Sequence, residues 1–429
     1  MAEPEKKVEV QPPGSQKAPP GGAVNTPAPV AVDTLLRPSD TKGLRKRIYD
    51  HTFEAIQNLQ PVSNSKYSLH VENPRWIDPE TWSPSHQKKT FYQGGTLARR
   101  IQGDYVLKDL LTDKEVSRKS ATVASVPHLN DRGLFLLNGS HWHLGSQTRL
   151  DPGIYPKIQD NGEFKAMVNP SGGRQHSLTL DPESGVFHFE IGSSRIPLMS
   201  VLRSLGVDNK RFHDEWGRDL VEKNAAKADP SAVRKLVEKL YDGDKIPEGL
   251  RDDELLTKKF GAMKLDPYVM KQTIGHAHES YDSESMLRTA KRLLALSRGE
   301  VPPSERDHQA FQHVLGQEHL FAERAKNSRP LLNQALWKAT YKGNLDNLPS
   351  GLLNQHLAET ITATGLGVNA QMTNPAEMLD AAYRVSKMGK GGVASLDAVP
   401  DSMRDVHSSQ FYFVDPIVTP ESGKAGVDS

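Results

Sequence analysis

Few clusters in this sequence combine the residue types and spacing that chemistry needs, and each lacks a member. His141 and His143 flank Trp142, so on a strand both imidazoles face one side and could ligate zinc. No third ligand stands at a telling distance, and packed strand histidines are the plainer reading. His276 and His278 with Glu279 are read the same way. Asp307 beside His308 suggests an acid–base pair, but no nucleophile accompanies it, so structural hydrogen bonding is expected there. The sequence holds no Gly-x-x-x-x-Gly-Lys-Ser/Thr phosphate loop, no Gly-x-Gly-x-x-Gly after a strand and no Gly-x-Ser-x-Gly elbow. With 0 cysteines, disulfides, Cys-ligated zinc and thiol catalysis are excluded. No catalytic residue and no metal site are therefore expected on this chain.

The elements that must position these groups belong to a chain of 429 residues, long enough for two or three domains. The formal net charge is +1, so any nucleic-acid contact must come from local patches. Two clusters qualify. One is Lys42, Arg45, Lys46 and Arg47; the other is Lys88, Lys89, Arg99 and Arg100 near Phe91 and Tyr92, since aromatics interleaved with cations can grip single strands. A solvated helix face and a small aromatic core are the plainer readings of the two. No apolar run approaches the ~20 residues that span a bilayer, and the start lacks the apolar core of a signal peptide. A soluble intracellular protein is expected.

Residues 1–32 are rich in Pro and Ala without periodicity and read as a disordered tail. Asp40 or Thr41 can cap a helix with Leu44, Ile48, Phe53 and Ile56 on one face. The stretch from Tyr67 to Leu111, with Trp76 and Trp82, predicts short strands and loops. Asn130-Asp131-Arg132-Gly133 is a turn before a strand over Leu134 to Leu137. Arg174 to Leu180 and Val186 to Ile191 pair across the turn Asp181 to Gly185, with Phe187, Phe189 and Ile191 on one face. Pro197 opens a short helix that Gly206 stops. Residues 207–330 are mostly helical, with apolar stripes beginning after Pro230 and Ser283. Two further helices fall around Leu332–Tyr341 and Leu352–Thr364. A last helix starts at Asn374-Pro375, carries Met378, Leu379, Ala382, Val385 and Met388 on one face, and ends at Gly389. Arg384, Lys387 and Lys390 lead into a mobile, glycine-hinged tip, Gly389 to Gly392, followed by a long loop.

Three motifs stand in one order near the C-terminus. They are Arg384-Val385-Ser386-Lys387-Met388-Gly389-Lys390-Gly391-Gly392, then Arg404-Asp405-Val406-His407, then Pro416-Ile417-Val418-Thr419-Pro420-Glu421. Upstream, Gly133, Phe135, Leu137, Asn138 and Gly139 precede Ser146-Gln147 and Pro152-Gly153-Ile154-Tyr155. This series resembles the N-terminal half of the β subunit of multisubunit DNA-directed RNA polymerase, over roughly residues 40–429.

The resemblance implies an α+β chain with protrusion and lobe domains plus a fork region, lacking the double-psi β-barrel half. Its segments would be a tail at 1–32, protrusion at 33–163 and 331–373, lobe at 164–330, and fork at 374–429. It implies one wall of a DNA cleft, with Arg384, Lys387, Lys390, Arg404 and Lys424 towards nucleic acid or holding the loop. Glu421 would lie near the nucleotide, and Ser386, Asp405 and His407 would support the fork. No cofactor is expected on this chain. Magnesium would sit on a β′-like partner and the barrel on a C-terminal β-like chain, with DNA template and RNA transcript as further partners and no membrane. The end near Thr419 and the departures Val418 and Ser422-Gly423-Lys424 suit a split subunit of a giant-bacteriophage enzyme, working in the host cytoplasm or packaged in the virion. Gln371 and Ala381 replace residues of the family's rifamycin pocket, which implies resistance to rifampicin. The rival reading is a non-catalytic scaffold or virion protein that binds nucleic acid or protein.

Overall fold

The computed structural model describes residues 40–241, 246–247, 249–370, 380–393, 395–399, 401–411, 413–415, 417–420 and 422–429. The 1–32 tail therefore lies outside the described residues, as does the start of the last helix at Asn374.

The chain begins with α1 (Thr41–Gln57), capped by Asp40, whose carboxylate accepts from Gly43 N at 2.9 Å. The stretch from Tyr67 to Leu111, expected as short strands and loops, holds two long strands instead. After β1 (Val62–Ser63) comes β2 (Tyr67–Trp76), then α2 (Pro84–Tyr92), β3 (Ala98–Asp109) and β4 (Glu115–Pro127). They form an antiparallel sheet in the order β1-β2-β3-β4. Irregular alternation hid them, because the register shifts at Glu72/Arg75, Ile101/Gln102 and Leu107/Lys108, and each bulge breaks the period of two. Trp76 packs on Tyr49 and Phe53 with ring centroids 5.2 and 5.6 Å apart.

The Asn130 turn behaves as expected: its side-chain oxygen accepts from Arg132 N and Leu134 N, and Gly133 takes φ 74°. β5 (Phe135–Leu137) and β6 (Ser140–Leu144) follow as a hairpin. β7 (Ser146–Leu150) then carries the chain out of this first core.

A second core is built from one continuous stretch, Ile154 to Leu296. Its sheet is an antiparallel meander of β8 (Gly153–Ile158), β9 (Phe164–Asn169), β10 (His176–Leu180), β11 (Phe187–Ile191) and β12 (Ser194–Pro197). Phe187, Phe189 and Ile191 are all buried, as their alternation requires. Among the described residues seven helices cover it: α3 (Leu198–Ser204), α4 (Asn209–Trp216), α5 (Arg218–Lys227), α6 (Ser231–Leu240), α7 (Asp252–Gly261), α8 (Pro267–Thr273) and α9 (Ser283–Ser297). The stripes on α6 (Val233, Leu236, Val237, Leu240) and α9 (Leu287, Ala290, Leu293, Leu294) are buried.

The chain returns on β13 (Gln312–Leu315), antiparallel to β7, so exit and return lie side by side. α10 (Gln317–Lys326), α11 (Arg329–Lys342) and α12 (Asn354–Thr362) then rejoin the first core. The cores divide at different residues from the expected 164–330 segment. β8 already pairs with β9, while Leu320, Phe321 and Ala325 of α10 pack with α1 residues.

β14 (Gly367–Asn369) adds to β6. The helix expected to run to Met388 does not: residues 380–383 are helical, and β15 (Val385–Ser386) follows, parallel to β7. Pairing with a neighbouring strand outweighs the helical spacing of Val385 and Met388, because propensity yields to tertiary context. α13 (Asp401–Arg404) follows, and then a single 3-10 turn over Ser408–Gln410.

Candidate functional site

The expected site residues gather along the seam where β15, β7 and β13 join the two cores. Gln147 on β7 is fully buried and organises the seam. Its amide donates to Met388 O at 2.8 Å and Lys390 O at 3.1 Å. Arg149, two residues on, donates to Lys390 O at 2.6 Å and pairs with Glu323 at 2.9 Å. The tip from Gly389 to Gly392 is thus tied down at its carbonyls and is no free hinge. Gly391 has φ 80°, and a Cβ there would meet Arg149 Nε at 2.8 Å. At Gly392 a Cβ would stand 2.4 Å from Lys387 O, so the clamp needs glycine at both places.

Three expected cations turn inward onto the C-terminal segment. Lys387 Nζ donates to Met403 O at 2.7 Å and Gly426 O at 3.2 Å. Burial pushes its ammonium below the ordinary lysine range, with Asp307 and Asp405 pulling the other way. Arg404 donates to Gly423 O at 2.9 Å and Ala425 O at 2.7 Å. Lys424 reaches Gly365 O at 2.9 Å and the buried Asp428 carboxylate at 3.3 Å. Ser386 donates its hydroxyl to the same carboxylate. Backbone bonds complete the arrangement: Val385 and Ser429 exchange N–H donors at 2.8 and 2.9 Å, and Lys387 N donates to Val427 O at 2.9 Å.

Arg384 pairs with Asp380 at 3.1 Å, and Lys390 and Asp405 are exposed. His407 takes no part in these bonds: its Nε2 lies 3.3 Å from Glu305, its Nδ1 2.7 Å from Ser409 Oγ and its ring 5.4 Å from that of His308. Asp307 pairs with Arg306 at 3.1 Å, while His308 Nδ1 accepts from Ala310 N. Glu421 and Gln371 lie outside the described residues. A cavity of about 240 Å³ opens between Met167 and Asn169 of the second core and Lys387, Gly391 and Met403 of the seam.

Two of the four cations in the first basic cluster are spent on structure, while Lys42 and Lys46 are exposed. Arg45 is buried and donates to Leu129 O at 2.9 Å, and Arg47 pairs with Glu318 at 3.1 Å. His141 and His143 occupy β6, and among the described residues no group of three or more His, Asp or Glu side chains could hold a metal ion. Spacing on β15 gave no hint of Gln147 and Arg149, which lie 241 residues from their partners in sequence. Their only local signal was Ser146-Gln147 as part of an upstream motif.

No protein-family profile matches the chain. Curated proteins do. It is 22% identical over 413 residues to the DNA-directed RNA polymerase subunit beta of a Nocardioides species, covering 87% of this chain and 35% of that protein. To the same subunit of Syntrophomonas wolfei it is 23% identical over 433 residues, covering 93% of this chain and 38% of that one. To that of Prochlorococcus marinus it is 24% identical over 411 residues, covering 87% and 37%. The chain spans little more than a third of the length of the curated relatives it matches, and across nearly all of its own length it is distantly similar to bacterial RNA polymerase β.

Proposed function

We propose that this chain is a β-like subunit of a multisubunit DNA-dependent RNA polymerase. It forms one wall of the DNA cleft, with protrusion-like and lobe-like units corresponding to the two cores and a fork at the seam. The observation that carries this reading is similarity to RNA polymerase β over 87–93% of the chain. The long discontinuous first core and the inserted second core suit that reading, since a wall needs rigid units joined at a defined seam.

Its part in phosphoryl transfer is positional. The reading, resting on the resemblance to the β subunit, gives the metal site to a β′-like partner and the nucleotide-binding barrel to a C-terminal β-like chain. Lys390 and Arg384 at the seam would face nucleic acid, while Lys387, Arg404 and Lys424 hold the C-terminal segment that shapes the fork. Among the described residues no helix is long and apolar enough to cross a membrane. A split subunit of a bacteriophage enzyme, at work in the host cytoplasm or carried in the virion, is the form this proposal takes.

The test is a tagged purification from cells that make the chain, followed by mass spectrometry and a promoter-independent transcription assay. Recovery with β′-like chains and a barrel-bearing chain, and RNA synthesis by the complex alone, are expected. Recovery without them, or nucleotide polymerisation by the isolated chain, would overturn the reading.

A further inference from the structure

Helix α11 carries large side chains on two opposite sides. Leu332, Ala335, Leu336 and Ala339 are buried in the first core. Pro330, Gln334, Trp337 and Tyr341 follow one another at i, i+4, i+7 and i+11, and so form one stripe on the other side. All four are exposed, Trp337 at 70% and Tyr341 at 85%. Large aromatic rings are among the side chains a core gains most from, and this core leaves both outside.

The face is firmly set. Gly343 ends the helix in the left-handed conformation at φ 69°, and Asn64 Nδ2 donates to Thr340 Oγ1 at 2.6 Å, which ties the helix to the β1–β2 connection. In the same connection Lys66 O accepts from Leu110 N at 3.0 Å. The β3–β4 turn therefore borders that connection too, and there Leu110 and Leu111 are exposed, Leu111 at 92%. Apolar residues scattered singly over a surface need no explanation. Two rings on one fixed helix, with two leucines on a turn that borders the same connection, do.

Charge says what the face would accept. None of the 14 residues of α11 is acidic, while Arg329, Lys338 and Lys342 are exposed and unpaired among the described residues. Lys66 and Lys114 add exposed cations on the neighbouring connections, against Asp113 and Asp346. The field over the stripe is thus positive, and its complement is an acidic partner. A second copy of the same face would set cation against cation. Leucines have no plane on which a base could stack, whereas Trp and Tyr are the residues concentrated at the centres of protein interfaces.

We propose that the outer face of α11, with the β3–β4 turn beside it, docks an acidic amphipathic helix of a partner protein. Apolar residues of that helix would cover Trp337 and Tyr341, and its flanking carboxylates would meet Lys338 and Lys342. The inference does not rest on the polymerase reading and lies apart from the seam.

The test places the photo-crosslinking residue p-benzoylphenylalanine at position 337 of the full chain, purified with its companions from cells that make it, and maps the crosslink by mass spectrometry. A crosslink to another protein is expected, in a segment whose apolar residues fall at helical spacing between acidic ones. A labelled synthetic peptide of that segment should bind the full chain in fluorescence anisotropy. Trp337→Ala and Tyr341→Ala should each weaken the peptide roughly 30-fold, the size of an interface hot spot. Lys338→Glu with Lys342→Glu should weaken it as well, and a peptide with lysines in place of its acids should bind that double variant better than the parent. Lys258→Ala, on the second core, should bind as the parent does, and circular dichroism checks the fold of every variant. A crosslink to DNA or RNA, to a second copy of this chain, or to nothing would overturn the proposal. So would a peptide that holds Trp337→Ala and Tyr341→Ala as tightly as the parent, or one indifferent to the charge exchange. Recovery of β′-like chains with the Trp337→Ala chain would leave the subunit reading intact whichever way the crosslink falls.

Discussion

The two cores differ in how the chain reaches them. The second is one uninterrupted stretch, sheet first and helices after, and its contacts are mostly between neighbours in sequence. The first is assembled from two distant stretches, so that Arg47 meets Glu318 across 271 residues. A continuous unit can close on apolar burial alone. A discontinuous one must also fix the register at which its halves meet. Polar ties between chain far apart mark that meeting: Gln147 to the glycine tip and Arg149 to Glu323, with Ser386 and Lys424 joined to Asp428 beside them. Hydrogen bonds have directions that burial lacks, so they suit a seam.

That contrast can be broken at several strengths. The largest effect is expected from Phe189→Ala in the second core. Phe189 is fully buried and stacks on His176 at 4.6 Å. Its loss should cost about 3–5 kcal/mol. Hydrogen exchange read by mass spectrometry should show protection falling across β8–β12 while β2–β4 keep theirs. Equal loss in both would mean that the seam makes them one cooperative unit.

Acid should strain both cores alike. His128 in the first and His176 in the second are buried, and burial lowers each from 6.5 to about 4. Between those values the unfolded chain binds the proton and the folded one does not, so stability falls as pH drops from about 6.5 to about 4. Each histidine contributes up to about 3 kcal/mol to that fall, at 1.36 kcal/mol per unit. Denaturant titrations against pH should show the acid slope reduced by His176→Phe in the second core and by His128→Phe in the first. An unchanged slope in either variant would remove that histidine from the account.

Gln147→Ala comes next. It leaves the carbonyls of Met388 and Lys390 without their buried donor and should cost about 1–3 kcal/mol. Exchange should quicken at 388–393 before it does so in either core. If the tip keeps its protection, Arg149 alone suffices to hold it. The smallest effect belongs to Arg384→Ala, which removes a partly exposed pair one helical turn apart with Asp380. Stability should change by no more than about 0.5 kcal/mol, so any larger loss of nucleic-acid affinity or transcription would be a contact effect.

What could be read beforehand follows the same division. The stripes of α6 and α9, the alternation on β11, the Asn130 turn and the Asp40 cap all depend on residues within a few positions of one another, and all are present. The long strands β2 to β4 escaped because their bulges interrupt the alternation. Arg45 read as a surface cation, yet it is buried against the turn at Leu129 and Asp131, a neighbour no local window contains.

The sequence by itself determined the local geometry: caps, turns, apolar faces, and the glycines that only a close backbone approach can use. It also carried three ordered motifs that resemble RNA polymerase β, and the curated relatives show a distant similarity to that subunit over most of the chain. Tertiary structure alone decided that residues after Arg384 form a strand rather than a helix, and that Lys387, Arg404 and Lys424 point inward. The physical reason is the same in each case. A strand needs a partner and an inward-turned, half-buried cation needs acceptors, and here both are supplied by chain tens to hundreds of residues away.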